Sequence, residues 1–142
     1  MASTVYGTGA GAVNTSTSLS AFGNSAAVAN TTGIHNIAVG MSALAANTIG
    51  YYNTAIGNSA LASNVSTYYN VGIGYEAGAL HTSGSIIAMG YKALAANTIG
   101  TLNVAIGTSS MVSNTTGSRN TAIGSESLRD NTIGAYNVAL GS

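Results

Sequence analysis

The octapeptide ALAANTIG occurs twice in this chain, at residues 43–50 and again at residues 93–100. Eight matching positions indicate an internal repeat, so the separation of fifty residues must be close to a multiple of a shorter period. Tetrapeptides that end in glycine, such as IAVG and TAIG, supply that period. Their glycines recur every 17 residues, with two steps of 16. They end at nine anchor glycines: Gly7, Gly23, Gly40, Gly57, Gly74, Gly90, Gly107, Gly124 and Gly141.

Aligning the cycles on the anchor glycines produces columns of like residues, two of which consist mainly of asparagine. The first column lies four residues before the anchor glycine: Asn36, Asn53, Asn70, Asn103, Asn120, Asn137. The second lies seven residues after it, with His81 in one cycle: Asn30, Asn47, Asn64, Asn97, Asn114, Asn131. Since stacked asparagines can hydrogen-bond from one strand to the next, we expect both columns to be structural ladders.

A cycle of 17 residues predicts two strands of about five residues and two turns. The segment SALA also suits a helix by propensity, but Asn-Thr-x-Gly follows within one turn, and helices that short are marginal. The sequence therefore predicts an all-β fold, a parallel β-solenoid (β-roll) of about eight 17-residue coils. It forms a single repeat domain over residues 1–142, with neighbouring coils about 4.8 Å apart.

We expect the large apolar residue just before each anchor glycine to form the core: Val39, Ile56, Ile73, Met89, Ile106, Ile123, Leu140. The small residue one place earlier then points outward and forms a flat stripe for self-association: Ala38, Ala55, Ala88, Ala105, Ala122, Ala139. The strand that carries leucine is expected to place a second alanine stripe outside, made of Ala26, Ala43, Ala60, Ala77 and Ala93.

Both ends of the repeat consist of an anchor strand, with Val5 and Tyr6 at one end and Val138 and Leu140 at the other. No polar cap closes either edge in the sequence, whereas solenoids normally need one. Open strand edges pair with other chains. The chain is therefore expected to associate with itself, through a lateral trimer, head-to-tail stacking or both.

The composition excludes several classes of partner. Only 4 % of residues are charged, with three Lys or Arg and three Asp or Glu, so no basic stripe for nucleic acid can form. There is no cysteine, and no apolar run is long enough for a membrane span. The N-terminal residues show no secretory signal. Because His35 and His81 fall in different columns and no Ser-His-Asp set recurs, we expect no enzyme, no metal and no cofactor.

Several side chains are expected to stack on the surface between neighbouring coils. Candidate ligand contacts are the exposed tyrosines of two columns, with His35 above one of them: Tyr51, Tyr52, Tyr68, Tyr69. Such aromatic ladders either bind glycans or stabilise neighbouring strands. The same stacking pairs Tyr75 with Tyr91, Glu76 with Lys92, and Arg119 with Tyr136. A threonine column next to the second asparagine column raises ice binding as a remote alternative.

The N-[TSV]-A-[IV]-G strands and S-x-A turns resemble the head repeats of trimeric autotransporter adhesins. They are also similar to the NTAIG repeats of phage tail fibres and large bacterial surface proteins, from about Val5 to Gly141. The resemblance implies a left-handed β-roll, assembled as a homotrimer, in an extracellular fibre used for attachment at a cell surface or on a virion.

Two functions follow as hypotheses. The first is a non-enzymatic structural subunit or segment of a self-associating extracellular fibre. The alternative is a receptor-binding adhesin head or tail-fibre module that contacts a glycan or protein on a host surface.

Overall fold

The computed structural model describes residues 3–142; the first two residues of the predicted domain, Met1 and Ala2, lie outside this range. The described chain forms one sheet of nine parallel strands in sequence order, which confirms the predicted all-β solenoid. The strands are β1 Thr4–Tyr6, β2 Leu19–Phe22, β3 Asn36–Val39, β4 Thr54–Ile56, β5 Val71–Ile73, β6 Ile86–Met89, β7 Asn103–Ile106, β8 Thr121–Ile123 and β9 Val138–Leu140. The left-handed winding stays a prediction.

Corresponding positions of successive cycles pair across the whole sheet. Ala38 lies opposite Ala55 between β3 and β4, and Val39 lies opposite Ile56. The cycle that lacks a residue does not shift this register, because Gly72 of β5 still lies opposite Ala88 of β6. The missing residue is therefore absorbed in the turn that precedes β6, and the columns stay aligned on both sides of it.

Each coil contains one strand, so the predicted second strand is wrong. The segment after the anchor glycine is a series of turns in which alternate residues have positive φ, such as Ser42 at 57° and Leu44 at 51°. Ala45 N–H donates to the carbonyl of Ser42 within the coil, whereas Leu44 N–H donates to Ala60 of the next coil. This backbone buries consecutive side chains, which an extended strand with a period of two cannot do.

The predicted core and the predicted outer stripe are interchanged in the structure. Ala38, Ala55, Ala88, Ala105 and Ala122 are fully buried, and Ala139 is half-buried. The residues predicted as core lie on the outside, exposed or half-buried: Val39, Ile56, Ile73, Met89, Ile106, Ile123, Leu140. The alanines of the turn segment, predicted outside, are buried as well: Ala26, Ala43, Ala60, Ala77, Ala93.

Strand alternation and interior width explain this inversion. In β7, Asn103 and Ala105 are two residues apart, so a buried asparagine puts the alanine inside too. The opposite wall supplies the large side chains, since Leu44, Leu61, Leu94 and Met111 are fully buried. A Cβ on Gly72 would lie 2.7 Å from Leu61 Cγ, so at this position even alanine would crowd the leucine of the opposite wall.

Candidate functional surfaces

The asparagines of the turn segment form a ladder through the interior, which we call the turn ladder: Asn14, Asn30, Asn47, Asn64, His81, Asn97, Asn114, Asn131. Asn47 Nδ2 donates to Asn30 Oδ1 at 2.6 Å and to the carbonyl of Gly50 at 3.2 Å. Asn114 Nδ2 donates to Asn97 Oδ1 in the same way, also at 2.6 Å. These two amides thus connect their own turns to the preceding coils.

The asparagines at the start of the strands form a second ladder, the strand ladder: Asn36, Asn53, Asn70, Asn103, Asn120, Asn137. Asn53 Oδ1 accepts both the backbone N–H and the side-chain Nδ2 of Asn70, at 3.1 and 3.0 Å. Asn53 Nδ2 donates to the carbonyl of Thr67 at 2.9 Å. Because these amide groups are bound within the chain and mostly buried, they hold the coils together and face no ligand.

His81 occupies an asparagine position of the turn ladder and is fully buried. Its Nε2 lies 3.2 Å from the carbonyl of Gly84, and its Nδ1 lies 2.8 Å from Asn97 Nδ2. Burial lowers the pKa of the imidazole below its ordinary value. Residues 3–142 contain no group of three or more His, Cys, Asp or Glu that could hold a metal ion.

The outward side of the sheet, the outer sheet face, carries a large apolar side chain one place before every anchor glycine, and the position three places before it is apolar in five strands and Thr or Ser in four. It consists of the residues one and three places before the anchor glycines, including Ile37, Ile56, Ile87, Ile106 and Ile123, which are 37 to 43 % exposed. With strands about 4.8 Å apart, nine strands make this face roughly 40 Å long. Large contiguous apolar patches are uncommon on monomeric proteins and mark interaction sites.

The two ends of the sheet expose the same columns most strongly. Val138 and Leu140 of β9 are each 74 % exposed, and Tyr6 of β1 is 77 % exposed, whereas Val5 is 39 % exposed. These end-strand residues were predicted as self-association residues. The structure places Tyr6, Val138 and Leu140 at the two ends of the outer sheet face, whereas Val5 pairs with Ala21 on the inward side of β1.

Five aromatic residues form a stacked cluster, the aromatic ladder, along one edge of the outer sheet face: His35, Tyr51, Tyr52, Tyr68, Tyr69. The ring centroids of His35 and Tyr52 are 4.8 Å apart, and those of Tyr52 and Tyr69 are 5.4 Å apart. Tyr51 stacks on Tyr68 at 4.9 Å and meets Tyr52 edge to face. The predicted stacking is confirmed, and its exposed rings offer flat surfaces to solvent.

A second aromatic pair carries the ion pair that the sequence predicted. Tyr75 and Tyr91 stack with centroids 5.4 Å apart, and Lys92 Nζ lies 3.5 Å from Glu76 Oε2. The Glu76 carboxylate raises the pKa of Lys92 and also raises that of the neighbouring Tyr75. Both aromatic groups therefore reinforce neighbouring coils, which is the more common use of stacked rings in sheets.

Arg119 lies 5.4 Å from the centroid of the Tyr136 ring, as the sequence predicted. This distance is within the range of a cation–π contact between neighbouring coils.

A groove of about 230 Å³ interrupts the surface where the aromatic ladder ends. It lies between Tyr69 and Leu102, with Ser85 between them and Ile87 and Val104 of the outer sheet face beside it. The groove exists because Ser85, in the cycle that lacks a residue, supplies no ring to continue the stack. No charged group lines it, so it holds no set of residues for acid–base or nucleophilic catalysis.

The threonine column, on which the ice-binding hypothesis rests, uses several of its hydroxyls in hydrogen bonds within the chain. Thr31, Thr98 and Thr115 each donate their hydroxyl proton to a backbone carbonyl of the next coil, at 3.0 to 3.1 Å. These groups are therefore used as coil-to-coil links.

The sequence analysis assigned the outer sheet face to the wrong residues, although the range of residue sizes in each column indicated the right ones. Along the chain, the column of Ala105 never holds a residue larger than valine, whereas the column of Ile106 ranges from valine to tyrosine. A tight interior restricts size and an outer surface does not, so the uniform column was the buried one.

Residues 3–142 contain no helix with the length and apolarity needed to cross a membrane. Comparison of the chain with protein-family models, with curated proteins and with solved structures finds no match.

Proposed function

We propose that this chain is a non-enzymatic, rod-shaped segment of a self-associating extracellular fibre, and that copies meet through the outer sheet face. One observation carries the proposal: a large apolar side chain stands just before the anchor glycine in every strand from β1 to β9 on this face, while the inward side of the strands carries alanine. A two-sided sheet with an apolar outer face is normally covered by another layer. Nothing in residues 3–142 covers it.

The geometry of the face suits a second copy of the same rod. Parallel sheets pack face to face about 10 Å apart, and a column of branched side chains repeating every 4.8 Å interdigitates with an identical column. The low charge of the chain, three cationic and three anionic residues, leaves little electrostatic repulsion against such contact. A homotrimer and an extracellular location are supported by the resemblance to adhesin and tail-fibre repeats.

Mass photometry of matched double variants tests this proposal. The variant I56E/I106E places two carboxylates on the outer sheet face, and I49E/I99E places them on isoleucines of the turns, which are even more exposed at 56 and 57 %. We expect the parent chain and I49E/I99E to form oligomers and I56E/I106E to be monomeric, since burying an unpaired charge is costly. Equal assembly of both variants, or a monomeric parent chain at micromolar concentration, would contradict the proposal.

A second candidate function, attachment to a host-surface glycan, is favoured by the aromatic ladder. Its exposed, stacked rings present flat faces of the kind on which sugar rings pack. Glycan-array binding by Y52S/Y69S compared with Y75S/Y91S tests it, because both variants remove one stacked pair but only the first lies in the ladder. Binding lost only in Y52S/Y69S supports attachment, and absence of binding by the parent chain rejects it.

A further inference from the structure

His81 differs from every other member of the turn ladder because it can gain a proton. The other members are asparagines, whose hydrogen bonds do not depend on pH. Gly84 O can only accept a hydrogen bond, so the Nε2 atom of His81 carries a proton. The side-chain nitrogen of Asn97 can only donate, so the Nδ1 atom of His81 must be an unprotonated acceptor.

Asn97 cannot reverse its amide to accommodate a second proton on the imidazole. Its Nδ2 also donates to the carbonyl of Gly100 at 2.8 Å. Its Oδ1 accepts Asn114 Nδ2 at 2.6 Å. Rotating the amide would place oxygen against oxygen at Gly100 and nitrogen against nitrogen at Asn114. An imidazolium at position 81 would therefore face a fixed N–H donor inside the rod.

The turn ladder is already interrupted on the other side of this coil. Asn64 Oδ1 accepts the backbone N–H and the hydroxyl of Thr67 in its own coil, at 3.2 and 2.7 Å, while the His81 ring bonds only Gly84 and Asn97. One coil further, Asn64 Nδ2 and Asn47 Oδ1 are buried without a hydrogen-bond partner, although the equivalent atoms of other coils bind each other. The bond between His81 and Asn97 is therefore the side-chain link by which the turn ladder still holds this coil to a neighbouring coil. Losing it would leave the coil without amide links to its neighbours along the turn ladder.

We propose that His81 is an acid-sensitive joint in the rod: protonation of its Nδ1 breaks the bond to Asn97 and loosens the coil between Gly74 and Gly90. Neutral groups surround the ring within the ladder, namely Asn97, Gly84 and the preceding member Asn64. The ionisable groups nearest along these coils, Glu76 and Lys92, bind each other on the surface, and Tyr68, Tyr69, Tyr75 and Tyr91 are exposed. No carboxylate among the described residues makes a hydrogen bond or ion pair with the imidazole to offset its charge.

The direction of the pH dependence follows from the pKa of His81, which burial lowers in the folded state. The unfolded chain then binds a proton more readily than the folded chain at mildly acidic pH. Stability is fully present above the unfolded value of about 6.5 and decreases as the pH falls below it. For one proton, the unfolding equilibrium constant rises by up to tenfold per pH unit until the folded-state pKa is reached.

Urea denaturation at pH 7.5, 6.5 and 5.5 tests the joint in the parent chain, H81N and H35N. H81N restores the residue found in the other coils, and H35N replaces the exposed histidine of the aromatic ladder. Between pH 6.5 and 5.5, we expect the unfolding equilibrium constant to rise by up to tenfold in the parent and in H35N. In H81N we expect a smaller rise or none. The same loss in all three proteins would overturn the proposal.

Hydrogen exchange of the parent chain at the same pH values supplies a readout that does not depend on any variant folding. We expect amides of residues 81–98 to lose protection at pH 5.5 before amides of residues 103–124 do. Uniform protection along the rod, or a His81 ring that titrates at the ordinary histidine value in NMR spectra, would contradict an acid-sensitive joint.

Discussion

The two 16-residue cycles of the rod differ from the six 17-residue cycles in the residue at the start of the strand. Each longer cycle has asparagine four residues before the closing anchor glycine, as in Asn53 and Asn103. Each shorter cycle has Leu19 or Ile86 there instead, together with glycine on the opposite wall, at Gly11 or Gly78. Coil length and interior chemistry therefore change together.

Packing explains why these changes accompany each other. A Cβ on Gly78 would lie 2.9 Å from Ile86 Cδ1, and one on Gly11 would lie 3.3 Å from Leu19 Cδ2. The strand side chain thus fills the space that leucine of the turn occupies in longer coils. A shorter coil replaces a polar link and a turn leucine by one apolar strand residue, and the register of the sheet is unchanged.

Anchor glycines should be required equally in both kinds of coil, and their loss should have the largest effect. Gly40 and Gly74 both have φ of 128°, and a Cβ on either would lie 2.5 Å from the carbonyl oxygen of the next anchor glycine. We expect G40A and G74A each to lose roughly 3 kcal/mol or more of unfolding free energy, because a backbone clash adds to strain at positive φ. Urea denaturation measures this loss; a mild effect in either variant would show that the coils can separate locally.

Exchanging strand residues between the two kinds of coil should separate polar from apolar stabilisation. N53I removes the acceptor of Asn70 and the donor to Thr67, so we expect a loss of roughly 2–4 kcal/mol. I86N should cost less, about 1–3 kcal/mol, since it leaves a cavity beside Gly78 but no broken hydrogen bond. Urea denaturation of both variants measures the two losses of unfolding free energy. A larger loss in I86N than in N53I would contradict the view that the asparagine hydrogen bonds contribute more than the packing of Ile86.

Converting the short coil to a long one is a sharper version of the same experiment. G78L/I86N supplies both residues of a longer cycle but not the additional position. We expect it to remain destabilised, by roughly 1–3 kcal/mol, through overpacking. Inserting one tyrosine between Gly84 and Ser85 in that variant should recover most of the loss. If G78L/I86N is as stable as the parent chain without the insertion, coil length and interior chemistry do not depend on each other.

Removing the surface ion pair of the short coil should have the smallest effect. Glu76 and Lys92 are about one-third exposed, and exposed pairs contribute little to stability. We expect the thermal midpoint of E76Q to equal that of the parent chain in low and high salt. A decrease in the thermal midpoint that depends on salt would mean that the ion pair stabilises the short coil. Our account attributes that stability to packing alone.

The sequence was sufficient for the period, the parallel stacking and the surface pairs, because every cycle repeats the same residues at the same spacing. It did not reveal the turn segment, since alternate positive φ at residues such as Ser42 and Leu44 is uncommon for residues other than glycine. The inside and outside were interchanged because hydrophobicity alone ranks isoleucine above alanine as a core residue. Buried Asn103 fixes the inward side of β7, and Ala105 follows it.

Thiol labelling of introduced cysteines tests most directly whether the rod associates through its outer sheet face, and the chain has no cysteine of its own. We would compare I106C on this face with I99C on the turns as the protein concentration is raised. The account predicts that both thiols react in dilute monomer and that only I106C becomes protected on assembly. Protection of I99C instead, or a thiol at position 106 that stays reactive in the assembled protein, would contradict it.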